Sequence, residues 1–150
     1  GPNIPTPQAQ CQGKHVFQYA LVPHMGTWIQ AKTYQEAHRH NVPLRTKTTD
    51  IHKGKLPLKM SFLSIEPDNL VITAIKKAES RNALIVRFYN ITEETVQGKV
   101  SLCKEIKIKE ARLVNFNEEA KKRLSLCSGN SISFKVKGYE IKTIEFILDT

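Results

Sequence analysis

Asn69-Leu-Val-Ile-Thr-Ala-Ile-Lys-Lys-Ala-Glu-Ser-Arg-Asn-Ala-Leu-Ile-Val-Arg-Phe-Tyr-Asn-Ile-Thr92 holds two apolar, β-branched segments, Leu70–Ile75 and Ala83–Tyr89, joined by the polar link Lys76–Asn82. Leu84, Val86 and Phe88 alternate with Ile85, Arg87 and Tyr89, a period of two that sends side chains to opposite faces of a strand. Leu70–Ile75 is apolar on both faces, as expected of a strand with a packed layer on each side. Two such strands with a short polar link predict a hairpin at the centre of an antiparallel β domain.

Further strands are predicted on either side of it. His15–Val22 alternates in the same way and reads as a strand that Pro23 ends. From Trp28 the period changes: Trp28, Ala31, Tyr34 and Ala37 recur every three residues, which predicts one helix near residues 27–40 lying over a sheet face. Thr27 and Gln30 fit a capping box at its start, and Asn41 with Pro43 fits its end. Gly1–Gly13, with three prolines, reads as an extended lead-in, and Thr46–Lys59 as a loop. Downstream, strand character returns at Met60–Ile65, Val96–Leu102, Ile106–Phe116, Ile132–Lys137 and Ile141–Leu148. Glu118–Leu124 reads as a short helical turn and Ser128-Gly-Asn130 as a turn. About eight strands with turns every 8–12 residues predict a mainly β chain folded as an antiparallel β-sandwich.

The hairpin stretch V-I-T-A-I-K-K-A-E-S-R-N-A-L-I-V-R-F-Y-N-I-T resembles the C-terminal β region of glycoside hydrolase family 38, the retaining α-mannosidases. Phe17–His24 with Trp28 (F-Q-Y-A-L-V-P-H-M-G-T-W), Ala111–Glu118 (A-R-L-V-N-F-N-E) and Tyr139–Ile144 (Y-E-I-K-T-I) follow in the family's order. The resemblance implies that residues 14–150 form the C-terminal, non-catalytic sandwich of a longer enzyme hydrolysing terminal α-mannosidic bonds with retention. The nucleophilic aspartate and the zinc ligands of that enzyme would lie in upstream catalytic and helical domains outside this chain. Those domains are then the expected partners, and an α-mannoside the parent's substrate. Gly1 in place of an initiator methionine fits a cut piece, and the lack of a targeting signal says nothing of the parent.

The chain's 150 residues are enough for a real core, and 40% apolar content excludes a wholly disordered chain. No apolar run approaches the roughly 20 residues of a membrane span. The formal charge of +9 raises nucleic acid as a partner, but the lysines alternate with apolar residues or acids along strands and no recognition motif accompanies them. A solvated strand face is the preferred reading. Cys11, Cys103 and Cys127 are odd in number and widely spaced, which favours a reducing, cytoplasmic compartment over a disulfide framework or a zinc site.

No catalytic, cofactor-binding or metal-binding residue is predicted within the chain. His38 and His40 are two apart and diverge on a helix, where ligands share a face at three or four. Glycoside hydrolysis needs two carboxyls roughly 5 Å apart in a retaining enzyme, yet most acids here occupy turns or alternate with lysine. Glu79 and Arg87 are expected to pair across the hairpin link. Asn90-Ile-Thr92 is a formal glycosylation sequon. His24, Trp28, Tyr89 and Tyr139 are the candidates for a substrate rim or domain interface, because flat rings stack on sugar faces. The alternative reading is a stand-alone module that binds a glycan or a polyanion.

Overall fold

The computed structural model describes residues 3–6, 9, 11–127 and 130–149. The chain divides into two compact units, Gly1–Thr48 and Thr49–Thr150.

Among the described residues, the first unit contains one α-helix, α1 (Thr33–Asn41), later than predicted. The expected capping box does form: the Thr27 amide donates to Gln30 Oε1 at 3.0 Å and the Gln30 amide to Thr27 Oγ1 at 3.3 Å. It closes a succession of turns over residues 28–32 instead of starting the helix. The interruption is Lys32, held in the left-handed region at φ 53°. The helix ends where Val42, ahead of Pro43, donates its N–H to the His38 carbonyl at 2.8 Å; Asn41 stays within the helix. No residue of α1 is buried. His15–Val22 is not a strand: its alternation sets side-chain direction, but among the described residues no second strand pairs with it, and its side chains are exposed.

The second unit is the sandwich, with nine strands among the described residues. They are β1 (Leu63–Glu66), β2 (Leu70–Lys77), β3 (Ala83–Asn90), β4 (Val96–Leu102), β5 (Ile108–Val114), β6 (Ala120–Leu124), β7 (Leu126–Cys127), β8 (Ser131–Val136) and β9 (Ile141–Leu148). They form a four-stranded sheet ordered β1-β4-β8-β7 and a five-stranded sheet ordered β2-β3-β9-β5-β6, antiparallel throughout. The predicted hairpin is β2–β3, with Leu70 opposite Asn90 and Lys77 opposite Leu84.

Two strand expectations change. β2 is an edge strand, so only Leu70 and Val71 are buried and Ile75 faces solvent; β3, beside it, is the strand packed on both sides. Residues 120–124 are extended, not helical. With Leu124 as their one large apolar residue they suit an edge, where β5 supplies the hydrogen bonds and Lys121–Arg123 remain exposed. Of the predicted turn at residues 128–130, the first two lie outside the described residues, and Asn130 adopts φ 62°.

Val86, Phe88, Ile144 and Phe146 of the larger sheet meet Val100, Ile132, Phe134 and Val136 of the smaller one in a single core. Phe88 and Phe134 stack across the gap, with centroids 5.2 Å apart. Gly98 of β4 makes room for this stack, since a Cβ there would come within 2.5 Å of the Phe134 ring and 2.8 Å of Leu70. Each fully buried aromatic or aliphatic side chain contributes about 1.5–3 kcal/mol relative to exposure.

Asn90 shows how the sequon is used. It is fully buried, donates through Nδ2 to the Glu94 and Lys137 carbonyls at 2.7 and 3.1 Å, and accepts from the Thr92 amide and hydroxyl at 3.0 and 2.8 Å. A buried amide nitrogen with both protons engaged is inaccessible in the folded domain, so the sequon is structural. Asn90→Asp removes both donors and places a carboxylate against two carbonyls. A loss of about 2–3 kcal/mol is expected, read as a lower urea midpoint at pH 7; an unchanged midpoint would show that the network contributes nothing.

Candidate functional site

Among the described residues, ionisable groups gather where the hairpin link meets the β5–β6 turn. Glu118, at φ 64°, sends its buried carboxylate back to Lys76 Nζ at 2.9 Å and accepts the Glu79 amide at 2.9 Å. Glu79 also pairs with Lys76. Arg81 bonds the carboxylate of Glu145, which is fully buried on β9, and the carbonyl of Glu118. Arg87 makes no pair with Glu79. It donates to Thr143 Oγ1 at 3.0 Å and stacks 4.4 Å above the Phe116 ring.

Glu118, Glu110 and Glu140 are poorly suited to act as the general acid of glycoside hydrolysis, a role that needs a raised pKa. The Lys76 ammonium, then the Glu79 amide, hold Glu118 below the usual carboxylate range against the opposing effect of burial. Arg112 does the same for Glu110. For Glu140 burial pushes upward, but hydrogen bonds from Lys142 and the Lys137 amide prevail and the net shift is again downward.

Carboxyls with folded pKa values below their unfolded ones stabilise the domain above the unfolded pKa, near 4.5, and that stability is lost as pH falls through the folded values. The urea midpoint should therefore hold from neutral pH to about pH 5 and decline at lower pH. Glu118→Gln should flatten part of that decline. An acid limb of the same slope in the variant would show that Glu118 does not titrate with folding.

The four candidate rim residues fall in two groups. In the first unit, His24 lines an open pocket of about 350 Å³ with Ala20, Thr33, Glu36 and His40. Trp28 is half exposed and packs edge-to-face on Tyr34 with centroids 6.3 Å apart; it does so from the turns that precede α1, not from the helical stripe the spacing predicts. In the second unit, Tyr89 lies opposite Ile141 on the outer face of the larger sheet, where Arg87 lies opposite Thr143. Ile141 and Phe116 are more than half exposed there. Arg87, Tyr89, Phe116 and Ile141 thus make a partly apolar patch with a stacked cation, a surface that can accept a protein face or a sugar ring. Tyr139 is exposed on the β8–β9 turn, where its amide donates to the Thr92 carbonyl at 3.0 Å.

Sequence reasoning missed Phe116, Glu118 and Glu145. Acids in turns or alternating with lysine are expected to face solvent, yet Glu118 and Glu145 are buried. Glu145 had one legible signal, its place between Ile144 and Phe146 in an apolar strand. Glu118 had none, because its partners are 39 and 42 positions away. Among the described residues, no group of three or more His, Cys, Asp or Glu side chains is placed to hold a metal ion. Cys11, Cys103 and Cys127 are free thiols.

The two antiparallel sheets, packed face to face and tied by ionic clamps, define a β-sandwich domain. Residues 69–144 match the profile of the glycosyl hydrolases family 38 C-terminal beta sandwich domain, and the chain belongs to that family. It is 26% identical over 141 residues to a Halalkalibacterium halodurans protein named "Putative mannosylglycerate hydrolase", covering 94% of this chain and 15% of that protein. It is 26% identical over 145 residues to alpha-mannosidase G of Dictyostelium discoideum, covering 95% and 13%. With human alpha-mannosidase 2C1 it shares 32% identity over 80 residues, covering 51% and 8%. The chain therefore spans about a seventh of the length of the first two relatives. No solved structure matches the chain significantly.

Proposed function

We propose that this chain is the C-terminal, non-catalytic domain of an α-mannosidase that cleaves terminal α-mannosidic bonds with retention. Its aspartate nucleophile and zinc ion belong to residues outside this chain. The domain packs on the upstream catalytic and helical domains of the same protein, in the cytoplasm, where its three free thiols stay reduced.

The observation that carries this reading is the exposed apolar surface of the first unit. Phe17, Tyr19, Leu21, Met25 and Leu44 all face solvent at 84% or more. Large apolar side chains exposed in this number fit a surface that another domain covers. Zinc is assigned to the parent's upstream domains by family resemblance alone.

The test expresses the upstream remainder of the parent separately and assays it on an aryl α-mannoside with zinc, with and without this chain. Activity that appears or rises on mixing supports the proposal. An unchanged rate with no association between the pieces sinks it. The patch at Arg87, Tyr89, Phe116 and Ile141 favours a second reading, a glycan-binding module. Methyl α-mannoside binding to the isolated chain, lost in Phe116→Ala without a change in thermal midpoint, would select that one.

A further inference from the structure

The two sheets of the sandwich are unequal, and the mismatch leaves a cleft. Among the described residues, β7 is two residues long and pairs with Ser131 and Ile132 of β8 alone. Among the described residues, Ser133–Val136 of β8 therefore has no strand on that side, and its outward backbone groups have no ladder partner. The larger sheet continues through β5 and β6 on the same side. The uncovered space is about 360 Å³, with Leu113, Leu124, Phe134 and Ile144 as its floor.

Three lysines border this floor: Lys122 of β6, Lys135 of β8 and Lys142 of β9. In strand register Lys122 lies opposite Leu113 and Leu113 opposite Ile144, so Lys122 shares the inward face with the core. Lys142, two residues before Ile144, shares that face too and is 14% exposed, paired with Glu140 at 2.8 Å. Lys122 and Lys135 are exposed and make no ion pair among the described residues. Inward-facing cations at the mouth of an apolar cleft are unexpected in a sandwich, whose inner faces are apolar.

We propose that this cleft receives an extended strand from a neighbouring protein domain, added to the smaller sheet beside β8. The open edge supplies main-chain hydrogen bonds, as in recognition by strand addition. The floor and lysines set the side-chain pattern. An apolar residue and a carboxylate two positions apart point inward together, the first onto Leu113 and Leu124, the second toward Lys122 and Lys142. The residue opposite Lys135 on the outer face is best acidic as well. This assignment stands independently of the mannosidase reading. The competing explanation is that the lysines only blunt an exposed edge against aggregation.

The test titrates the ¹⁵N-labelled chain with a capped peptide of about seven residues, valine and glutamate alternating with threonine. Amide shifts confined to residues 133–136 and to β6 are expected. Affinity should fall about tenfold in Lys122→Glu/Lys135→Glu, two exposed positions whose change leaves the thermal midpoint unaltered. It should fall comparably when glutamine replaces glutamate in the peptide. Absence of shifts, equal affinity for the glutamine peptide, or the same shifts produced by acetate alone would each overturn the proposal, the last by showing a small-anion site.

Discussion

Gly138→Ala is expected to leave the sandwich unfolded at 25 °C. A Cβ on Gly138 would stand 1.9 Å from the Glu93 carbonyl oxygen, 2.4 Å from its carbonyl carbon and 2.8 Å from its Cα. All three are backbone atoms, so no rotamer change relieves the overlap, and one of the two turns must move away. That movement is resisted on both sides. Tyr139 donates to the Thr92 carbonyl at 3.0 Å, the Asn90 amide to the Glu140 carbonyl at 3.1 Å, and Asn90 Nδ2 to the Lys137 carbonyl at 3.1 Å. Separating the turns breaks this set and exposes the fully buried Asn90. The expected loss is at least about 4 kcal/mol, comparable with the whole stability of many small domains. Circular dichroism should show no cooperative transition where the parent chain has one. A melting curve within a few degrees of the parent's would show that the β3–β4 and β8–β9 turns part easily. Gly98→Ala is milder, since the nearest atoms are side-chain carbons of Phe134 and Leu70 that can shift.

Arg81→Ala is expected to be the second most damaging change, and its rescue is the more informative result. Arg81 is the charged partner of Glu145, whose side chain is wholly buried and whose Oε2 has no hydrogen bond. Removing one member of a buried pair leaves an uncompensated charge at a cost of about 3–5 kcal/mol. Arg81 is itself 37% exposed, which places the effect at the lower end, about 3 kcal/mol. For a domain of this size that corresponds to a fall of roughly 12 °C or more in thermal midpoint. Replacing the pair together, Arg81→Ala/Glu145→Leu, removes the buried charge and fills its space with apolar atoms. The double variant should recover most of the loss and can equal the parent. If it melts as low as Arg81→Ala alone, the arginine acts through its bond to the Glu118 carbonyl, and Glu145 is incidental.

The two results bear on what the domain is for. Lys76, Glu79, Arg81, Glu118 and Glu145 tie the β2–β3 link to the β5–β6 turn and to the middle of β9. They are sequence-distant groups used to lock three elements of the larger sheet in one register. A rigid sheet whose outer face carries Arg87, Tyr89, Phe116 and Ile141 suits a surface that another body docks on.

What could be read from the residues alone follows from periodicity. The alternation at residues 83–89, 132–137 and 141–148 selects strands, because a period of two puts apolar side chains on one face whatever the partner is. The polar link after Ile75 selects the hairpin. The capping box at Thr27 and Gln30 was legible because its partners are three residues apart and its geometry is local. Motif order along the chain carried the family assignment.

Tertiary structure decided the rest, wherever a partner far away in the chain settles the outcome. His15–Val22 has the pattern of a strand but no strand to pair with, whereas residues 120–124 lack the pattern and become a strand because β5 offers them hydrogen bonds. The left-handed Lys32 displaces the helix start against a sequence that favours helix across it. Glu145 and Arg81 are 64 positions apart, Glu118 and Glu79 39 apart, and Asn90 and Lys137 47 apart. Local pattern determines which way a side chain points. Only the assembled sheets determine what it meets there, and so which acids are clamps, which sequon is a buried network and which face stays open.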